Sequence, residues 1–148
     1  MKLDLGCSDS VIPGYVRVDM VSPADQIVDL RGPWPWPDSS IEAIRAFDIL
    51  EHLPDKIHTM NEAWRVLKPG GRFDIEVPTT DGRGAFQDPT HVSYWNRNSF
   101  MYYEHGNPHL TRFRASYGVR CAFRVVSAAE TAYPDKVVKL HIVLEAVK

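Results

Sequence analysis

The sequence predicts an α/β fold in which a mostly parallel sheet is covered by helices and finishes in an antiparallel hairpin. Strand-length apolar runs recur through the first third of the chain, at residues 2–5, 15–19, 26–30 and 43–47. A helical pattern then separates the last run from another strand, and this order favours parallel neighbours because they need a crossover connection. Two long β-rich runs, 123–133 and 137–147, are joined only by Pro134-Asp135-Lys136, which is typical of a hairpin.

The helical pattern covers residues 55–68. Asp55 is a suitable N-cap, apolar residues recur at helical spacing on one face, and Pro69-Gly70-Gly71 ends the helix. Residues 72–77 alternate as a strand and stop at Pro78. The segment 79–121 is rich in Gly, Pro, His, Arg and aromatic residues, with a short helix expected near 98–104. We expect this insert to recognise the substrate, because loops after strand ends carry function.

Composition predicts one globular domain, residues 1–148, with 44% hydrophobic and 24% charged residues. No stretch has the roughly 18 to 20 continuous apolar residues that cross a bilayer, and the acidic start is too short for a secretory signal. We therefore expect a cytoplasmic protein without membrane contact. The two cysteines, Cys7 and Cys121, are too few for a disulfide framework and lack the spacing of a zinc site.

Charge is distributed unevenly although the formal net charge is only −2. Residues 1–91 carry nine Lys and Arg against fifteen Asp and Glu, whereas residues 92–124 carry five Arg against the single Glu104. Two interpretations stay open: a solvated surface with scattered arginines, or a cationic end that binds RNA.

Three predicted strands end in Gly or Asp at what would be one edge of the sheet. Asp4 and Gly6 stand at the end of the first, Asp19 ends the second and Asp29 the third. A glycine turn lets backbone amides approach a ligand, and a carboxylate at the second strand can accept both hydroxyls of a ribose. Met20 and Leu30 would pack against an adenine ring. The combination predicts an adenosine site, although each aspartate alone is equally explained as a turn or helix cap.

These residues resemble the class I S-adenosylmethionine-dependent methyltransferases, in particular their short type-11-like enzymes. The resemblance rests on Leu3-Asp4-Leu5-Gly6-Cys7, Val18-Asp19, Val28-Asp29-Leu30, Pro35-Trp36-Pro37-Asp38, Ile49-Leu50-Glu51-His52-Leu53 and Trp64-Arg65-Val66-Leu67-Lys68-Pro69-Gly70-Gly71. It implies a Rossmann-like, doubly wound, seven-stranded sheet with a terminal antiparallel hairpin, and an enzyme that uses S-adenosylmethionine. It also implies cofactor contacts from the turn Asp4, Leu5, Gly6, Cys7 and Ser8, from Asp19 and Asp29, and from Phe47 beside the cofactor.

The chain departs from this family in its first turn. Ser8 and Ser10 stand where glycines are usual, and the link from Gly6 to the second strand is too short for a full helix. We expect a shortened first crossover and a weaker helix dipole facing the cofactor. The sequence also begins directly at the first strand, without the upstream helix that often covers the site in this family, so we expect an open pocket or one completed by a second subunit in a homodimer. The turn also lacks the Gly-x-Gly-x-x-Gly pattern of nicotinamide dinucleotide sites.

Candidate catalytic residues are His91, Glu51 and His52. Methyl transfer from a sulfonium needs a positioned nucleophile and removal of its proton, and a histidine titrates in the right range to act as the base. His91 is equally well explained as a residue that hydrogen-bonds its own loop. Asp48-x-x-Glu51-His52 with His91 also resembles the metal motif of small-RNA 2′-O-methyltransferases, which implies Mg or Mn as an additional cofactor. Trp95 is a candidate substrate contact. Trp64 is expected in the core, and Trp34 and Trp36 are expected to pack their loop against the sheet.

Three functions remain open from the sequence. The first is an O- or N-methyltransferase acting on a small metabolite or a sugar. The second is an RNA-directed methyltransferase, favoured by the cationic 92–124 region and opposed by the overall charge. The third is a cofactor-binding module without catalysis, which the missing glycines favour.

Overall fold

A computed structural model describes all residues, 1–148, and contains one seven-stranded sheet in the order β3-β2-β1-β4-β5-β7-β6. The first five strands are parallel, and the last two form an antiparallel hairpin beside β5. The strands are β1 Lys2–Leu5, β2 Val16–Asp19, β3 Gln26–Ile27, β4 Ile41–Phe47, β5 Leu67–Pro78, β6 Phe123–Ala132 and β7 Val138–Ala146. The predicted fold class is confirmed.

Three α-helices and two 3₁₀ helices complete the chain. They are a first 3₁₀ helix Leu50–His52, α1 Lys56–Val66, α2 Gly84–Gln87, a second 3₁₀ helix Arg97–Tyr103 and α3 Pro108–Tyr117. Asp55 caps α1 as predicted, and its carboxylate accepts a bond from the His58 amide at 2.9 Å. None of these helices has the length and apolar character that a membrane span requires.

The hydrophobic core lies on one face of the sheet. Leu3, Ile44 and Phe73 point from β1, β4 and β5 toward Met60 and Ala63 of α1. The opposite face is charged: Arg45 pairs with Asp4, and the alternate residues of β5 and β7 are polar. The sheet is therefore packed on one face and polar on the other, in contrast to parallel sheets with two buried faces.

The first crossover is short, as predicted. No helix lies between Gly6 and β2, and the amides of Gly6 and Cys7 both donate to the carbonyl of Val18, at 2.9 and 3.4 Å. The turn is thereby tied to β2 and not to a helix N-terminus. Gly6 has a positive φ of 65°, and a Cβ there would lie 2.7 Å from the side chain of Ile49, so only glycine fits.

The insert between β5 and β6 contacts the β6–β7 hairpin with its first part and the hydrophobic core with its later part. Its first part is tied to the β6–β7 hairpin, because the amides of Thr79 and Arg83 donate to the carbonyls of Val138 and Lys136 at 2.8 and 3.0 Å. The second 3₁₀ helix covers the core with Phe100 and Tyr103. The sequence analysis missed α3, which Asn107 and Pro108 begin and Gly118 ends.

Candidate functional site

A cleft lies at the carboxyl ends of β1, β2 and β4, where the sequence predicts the adenosine site. It encloses about 480 Å³ including its open mouth and is lined by Gly6, Asp19, Met20, Val28, Asp29, Leu30, Arg31, Ile49, His52 and Leu53. Five of the predicted cofactor residues therefore lie together: Gly6, Asp19, Met20, Asp29 and Leu30. The lining, in which five of ten residues are hydrophobic, suits a small-molecule ligand.

Asp19 holds the end of β2 to the first turn. Its Oδ2 accepts from the Ser8 amide at 3.0 Å, and its Oδ1 accepts from the amides of Met20 and Val21 at 2.7 and 3.4 Å. A carboxylate has about four acceptor positions, so these bonds leave little capacity beyond one further donor. Asp19 thus fixes the turn and still presents an acceptor to the cleft.

Asp29 is engaged by Arg31, a residue that the sequence analysis missed. The guanidinium binds the carboxylate with two bonds, Nε to Oδ1 at 2.8 Å and Nη2 to Oδ2 at 2.7 Å. These bonds and the Arg31 amide lower the pKa of Asp29 to about 2. An adenine amino group at this edge would meet an ion pair and not a free carboxylate.

The other predicted cofactor residues do not line the cleft. Asp4, Leu5 and Cys7 are buried beneath the turn, and Ser8 is exposed beside it. Phe47 lies on the charged face of the sheet, where its ring stacks under the Arg45 guanidinium at 3.7 Å. Strand alternation explains this position, because Ala46 points into the core and its neighbour must point outward.

Glu51, His52 and His91 form one cluster at the end of β4. One ligand atom from each lies within 4.8 Å of the others. His91 Nε2 is 3.9 Å from Glu51 Oε1 and 3.8 Å from Asp88 Oδ2, and the two imidazole rings are 4.9 Å apart between centroids. The predicted catalytic residues are thus brought together from two segments that are about forty residues apart in the chain.

Backbone contacts fix both the loop and the histidine tautomers. The carbonyl of Glu51 accepts from the amides of Val92 and Ser93 at 2.8 and 3.0 Å, which holds the loop over the first 3₁₀ helix. His91 Nδ1 lies 3.1 Å from the Ala85 carbonyl, and His52 Nδ1 lies 3.2 Å from the Thr90 carbonyl. Because a carbonyl only accepts, each Nδ1 carries a proton, and each Nε2 keeps a free lone pair in the neutral ring.

Glu51 is a buried carboxyl with one oxygen that has no partner. Its residue is 2% exposed, and Oε2 makes no hydrogen bond. Burial raises its pKa to about 7, and the nearby carboxylate of Asp48 acts in the same direction. A buried polar atom without a partner is costly, so its retention indicates a function.

A second cleft opens on the other side of the cluster. Its lining includes Asp48, Glu51, His52, Asp88, His91 and Lys139, and only one lining residue is hydrophobic. His52 lines this cleft and the first one. Asp48 lies on its wall but outside the three-residue cluster, because its carboxylate binds Lys139 Nζ at 2.5 Å. Lys139 is a further polar residue that no local sequence pattern indicated.

Trp95 does not line either cleft. It is 1% exposed, stacks on Phe100 and donates from Nε1 to Ser93 Oγ at 3.0 Å. The expectation that it contacts substrate is therefore wrong, since its ring is enclosed in the core. Trp34 and Trp36 are buried, whereas Trp64 is only partly buried and packs against the core.

Comparison with known proteins points to one domain type. Residues 21–75 match the family model described as a methyltransferase domain. A probable S-adenosylmethionine-dependent methyltransferase of Mycolicibacterium smegmatis is 35% identical over 66 residues, covering 42% of this chain and 26% of that protein. The 27-O-demethylrifamycin SV methyltransferase of Amycolatopsis mediterranei is 47% identical over 41 residues, 28% of this chain and 15% of that protein. The chain thus spans about a quarter or less of these relatives.

Solved structures share the fold over nearly the whole chain. A methyltransferase of Methanosarcina mazei aligns with a TM-score of 0.67 and 15% identity, covering 99% of this chain and 92% of that one. The 1,6-didemethyltoxoflavin-N1-methyltransferase of Burkholderia thailandensis, solved with bound 1,6-didemethyltoxoflavin and S-adenosylhomocysteine, aligns with a TM-score of 0.66 and 15% identity, covering 99% of this chain and 71% of that one. At such identities the likeness shows the fold.

Proposed function

We propose that this chain, which has the fold and the sequence matches of a class I S-adenosylmethionine-dependent methyltransferase, transfers a methyl group to an oxygen or nitrogen atom of a small metabolite or a sugar. One observation carries the proposal: His52 lines both the cleft at the strand ends and the polar cleft beside it. A sulfonium methyl in the first cleft and an acceptor in the second would meet there. The insert 79–121 supplies Asp88 and His91 to the acceptor side.

The cofactor side follows from the lining residues. Gly6 permits close approach of a ligand to the turn, the Asp19 carboxylate faces the ribose, and Leu30 packs against the adenine. The amides of the turn are already bonded to Val18 and Asp19. The cofactor is therefore held mainly by side chains and by shape, and we expect modest affinity.

His91 is suited to remove the acceptor proton. Its Nδ1 proton is bonded to the Ala85 carbonyl, so Nε2 is the basic atom. When Nε2 takes the proton from an acceptor hydroxyl or amine, the resulting imidazolium faces Glu51 and Asp88 at 3.9 and 3.8 Å. These carboxyl groups stabilise the positive charge, and the backbone bond keeps the ring in place.

The test separates cofactor binding from turnover. His91→Ala should leave the Kd for S-adenosylmethionine within about twofold and lower methyl transfer to a panel of metabolites and sugars by about 100-fold or more. His105→Ala is the matched control, because the His105 side chain is exposed and makes no hydrogen bond or ion pair. Equal activity of both variants would refute the role of His91. Cofactor binding by the unaltered protein without turnover on any acceptor would favour the non-catalytic module instead.

A divalent cation is a second candidate for the cluster, favoured by the unpartnered Glu51 Oε2. One ligand atom from each of the three residues lies within 4.8 Å of the others. Both imidazoles are oriented through Nδ1 by carbonyls, as metal-bound histidines are. One carboxylate with two imidazoles suits Mn or Mg with open positions. When bound, such an ion would orient an acceptor oxygen and favour its deprotonation.

The two roles of His91 exclude each other, because one lone pair cannot both bind a cation and take a proton. Calorimetric titration of Mn²⁺ into the cofactor-loaded protein should give heat that Glu51→Gln abolishes, if the cluster is a metal site. Glu62→Gln serves as the control, since Glu62 binds Arg65 on α1 and lies outside the cluster. If Mn²⁺ gives no heat and a chelator does not change activity, the metal site is excluded and His91 keeps its role as the base.

A further inference from the structure

A groove separate from the two clefts begins beside the cluster of Glu51, His52 and His91 and runs along α1 to α3. Two adjoining depressions form it, and they share Lys56, Ile57 and Tyr103. One end is lined by Pro54 and Val92, which directly follow the cleft residues Leu53 and His91 in the chain. The other end reaches Tyr117 at the C-terminus of α3. We call this the tyrosine groove, defined by Lys56, Tyr94, Tyr102, Tyr103 and Tyr117.

Aromatic rings continue from the groove along α3. Tyr102, His109, Phe113 and Tyr117 form a ladder with centroid distances of 5.6, 6.3 and 5.2 Å. Tyr102 and Tyr117 are 39% and 49% exposed. The spacing of the α3 members by four residues puts them on one stripe, so α3 shows rings to solvent where a core helix would bury them.

Positive charges without acidic partners accompany these rings. Six arginines form ion pairs with carboxylates: Arg17, Arg31, Arg45, Arg65, Arg72 and Arg124. The other five form none and are all exposed: Arg112 and Arg114 lie on α3, and Arg83, Arg97 and Arg120 lie outside it. The Arg112 guanidinium lies over the Phe113 ring at 5.1 Å, so it belongs to the aromatic stripe.

Lys56 supplies a cation inside the groove. Its ammonium donates to the Tyr94 carbonyl, lies 4.8 Å above the Trp95 ring and has no carboxylate partner. Burial lowers its pKa, which shows that the ammonium is partly desolvated without compensation from an anion. A ligand phosphate at this position would provide that compensation.

We propose that the tyrosine groove and the arginine-bearing face of α3 bind a single-stranded nucleic acid, and that a sugar of this strand is then the methyl acceptor at the cluster of Glu51, His52 and His91. Exposed rings offer stacking surfaces to bases, and unpaired guanidinium and ammonium groups bind phosphates, which together are the features of single-strand sites. An acidic protein would use the charges but not the rings. The assignment of the strand as methyl acceptor rests on the proposed methyl transfer, whereas strand binding itself does not.

Fluorescence anisotropy of a labelled oligouridine tests the charges. Binding should weaken between about 50 and 200 mM salt, with a log–log slope near −0.7 for each phosphate contacted. Arg112→Gln should weaken binding and reduce the magnitude of the slope by about 0.7. Arg124→Gln is the matched control, because Arg124 has the same charge in the same segment but pairs with Glu145. It should change neither quantity.

The stacking contribution has its own variant. Tyr117→Ala should weaken oligouridine binding about fivefold or more without changing the salt slope, as expected for loss of one base–aromatic contact. The side chains of Arg112 and Tyr117 are both exposed, and an unchanged thermal transition of Arg112→Gln and Tyr117→Ala will show that these variants fold. A polyglutamate peptide that competes as well as oligouridine, with no effect of Tyr117→Ala, would overturn the proposal in favour of an acidic protein partner.

The binding of S-adenosylmethionine, measured on the same preparation, keeps the two proposals distinguishable. Cofactor uptake without oligouridine binding would overturn only the strand proposal and leave methyl transfer to a small acceptor. Oligouridine binding without cofactor uptake would overturn the methyltransferase proposal and leave the groove as a nucleic-acid site.

Discussion

Replacing Glu51 by glutamine should remove a loss of stability that the protein undergoes as the pH rises to neutrality and above. Burial raises the pKa of Glu51 from 4.5 to about 7. Below 4.5 the carboxyl is protonated in both the folded and the unfolded chain, so it has no pH-dependent effect. Between 4.5 and 7 the unfolded chain ionises first, and the free energy of unfolding falls as pH rises. A shift of this size corresponds to about 3 kcal/mol at pH values above 7.

The substituted amide has no charge to desolvate, so Glu51→Gln escapes this loss. The free energies of unfolding are measured by urea titration with tryptophan fluorescence, at about pH 4.5 and pH 8 for both proteins. The difference between variant and wild type should grow by about 2–3 kcal/mol between the two pH values, whatever the constant effect of the amide. Subtracting the difference at about pH 4.5 from the difference at about pH 8 cancels the constant effect of the amide, because the amide is neutral at both pH values.

Glu42→Gln is the control for this measurement. The pKa of Glu42 is lowered by its hydrogen bond to Lys68, so its ionised form stabilises the fold and the variant should lose stability as pH rises. A pH-independent difference for Glu51→Gln, or one with the sign expected at Glu42, would refute the account of Glu51 as a desolvated carboxyl.

The remaining predictions concern the first turn and the α1 anchor. Asp19→Ala should weaken S-adenosylmethionine binding about tenfold or more by calorimetry, since charge-assisted hydrogen bonds contribute about 1.5–3 kcal/mol, whereas Asp9→Ala in the neighbouring exposed turn should leave the Kd unchanged. Gly6→Ala should cost about 1–3 kcal/mol more than Gly14→Ala in urea titrations, because both have a positive φ but only at Gly6 does a Cβ meet packed atoms. Similar costs at the two glycines would contradict the close packing of the turn. Asn61→Ala should cost about 2–5 kcal/mol, because its amide makes three hydrogen bonds that tie α1 to residues 118–121; a loss below about 1 kcal/mol would show that water replaces them.

Local signals explain why some elements could be predicted and one helix could not. The helix α1 has both a cap and an apolar face, so its pattern and its boundary agree. The helix α3 also has sequence signals, with Asn107 as its N-cap, Pro108 at its first turn and Gly118 at its end. It buries only Leu110, however, and its other periodic residues are aromatic rings among polar and charged side chains, so its apolar face is much weaker than that of α1.

The same contrast separates the parts of the candidate site. Gly6, Asp19 and Asp29 follow strand ends, and a parallel sheet brings such ends to one edge, so their proximity could be predicted. The partner of Asp48 could not be predicted in this way, because Lys139 is 91 residues away in the chain. Pairings of this kind depend on the β5–β7 register and not on local pattern.

The polar face of the sheet accounts for the short parallel connections. Neighbouring strands place opposite charges side by side on this face. Arg45 Nη1 of β4 is 2.7 Å from Asp4 Oδ1 of β1, and Arg72 Nη2 of β5 is 3.3 Å from Glu145 Oε2 of β7. A face that carries paired charges gains little from a helix packed on it, because burial would desolvate each pair. Helix-free crossovers are therefore tolerated here. They also remove the helix N-terminus that would face the cofactor, which leaves the Asp19 carboxylate and the cleft walls to set its affinity.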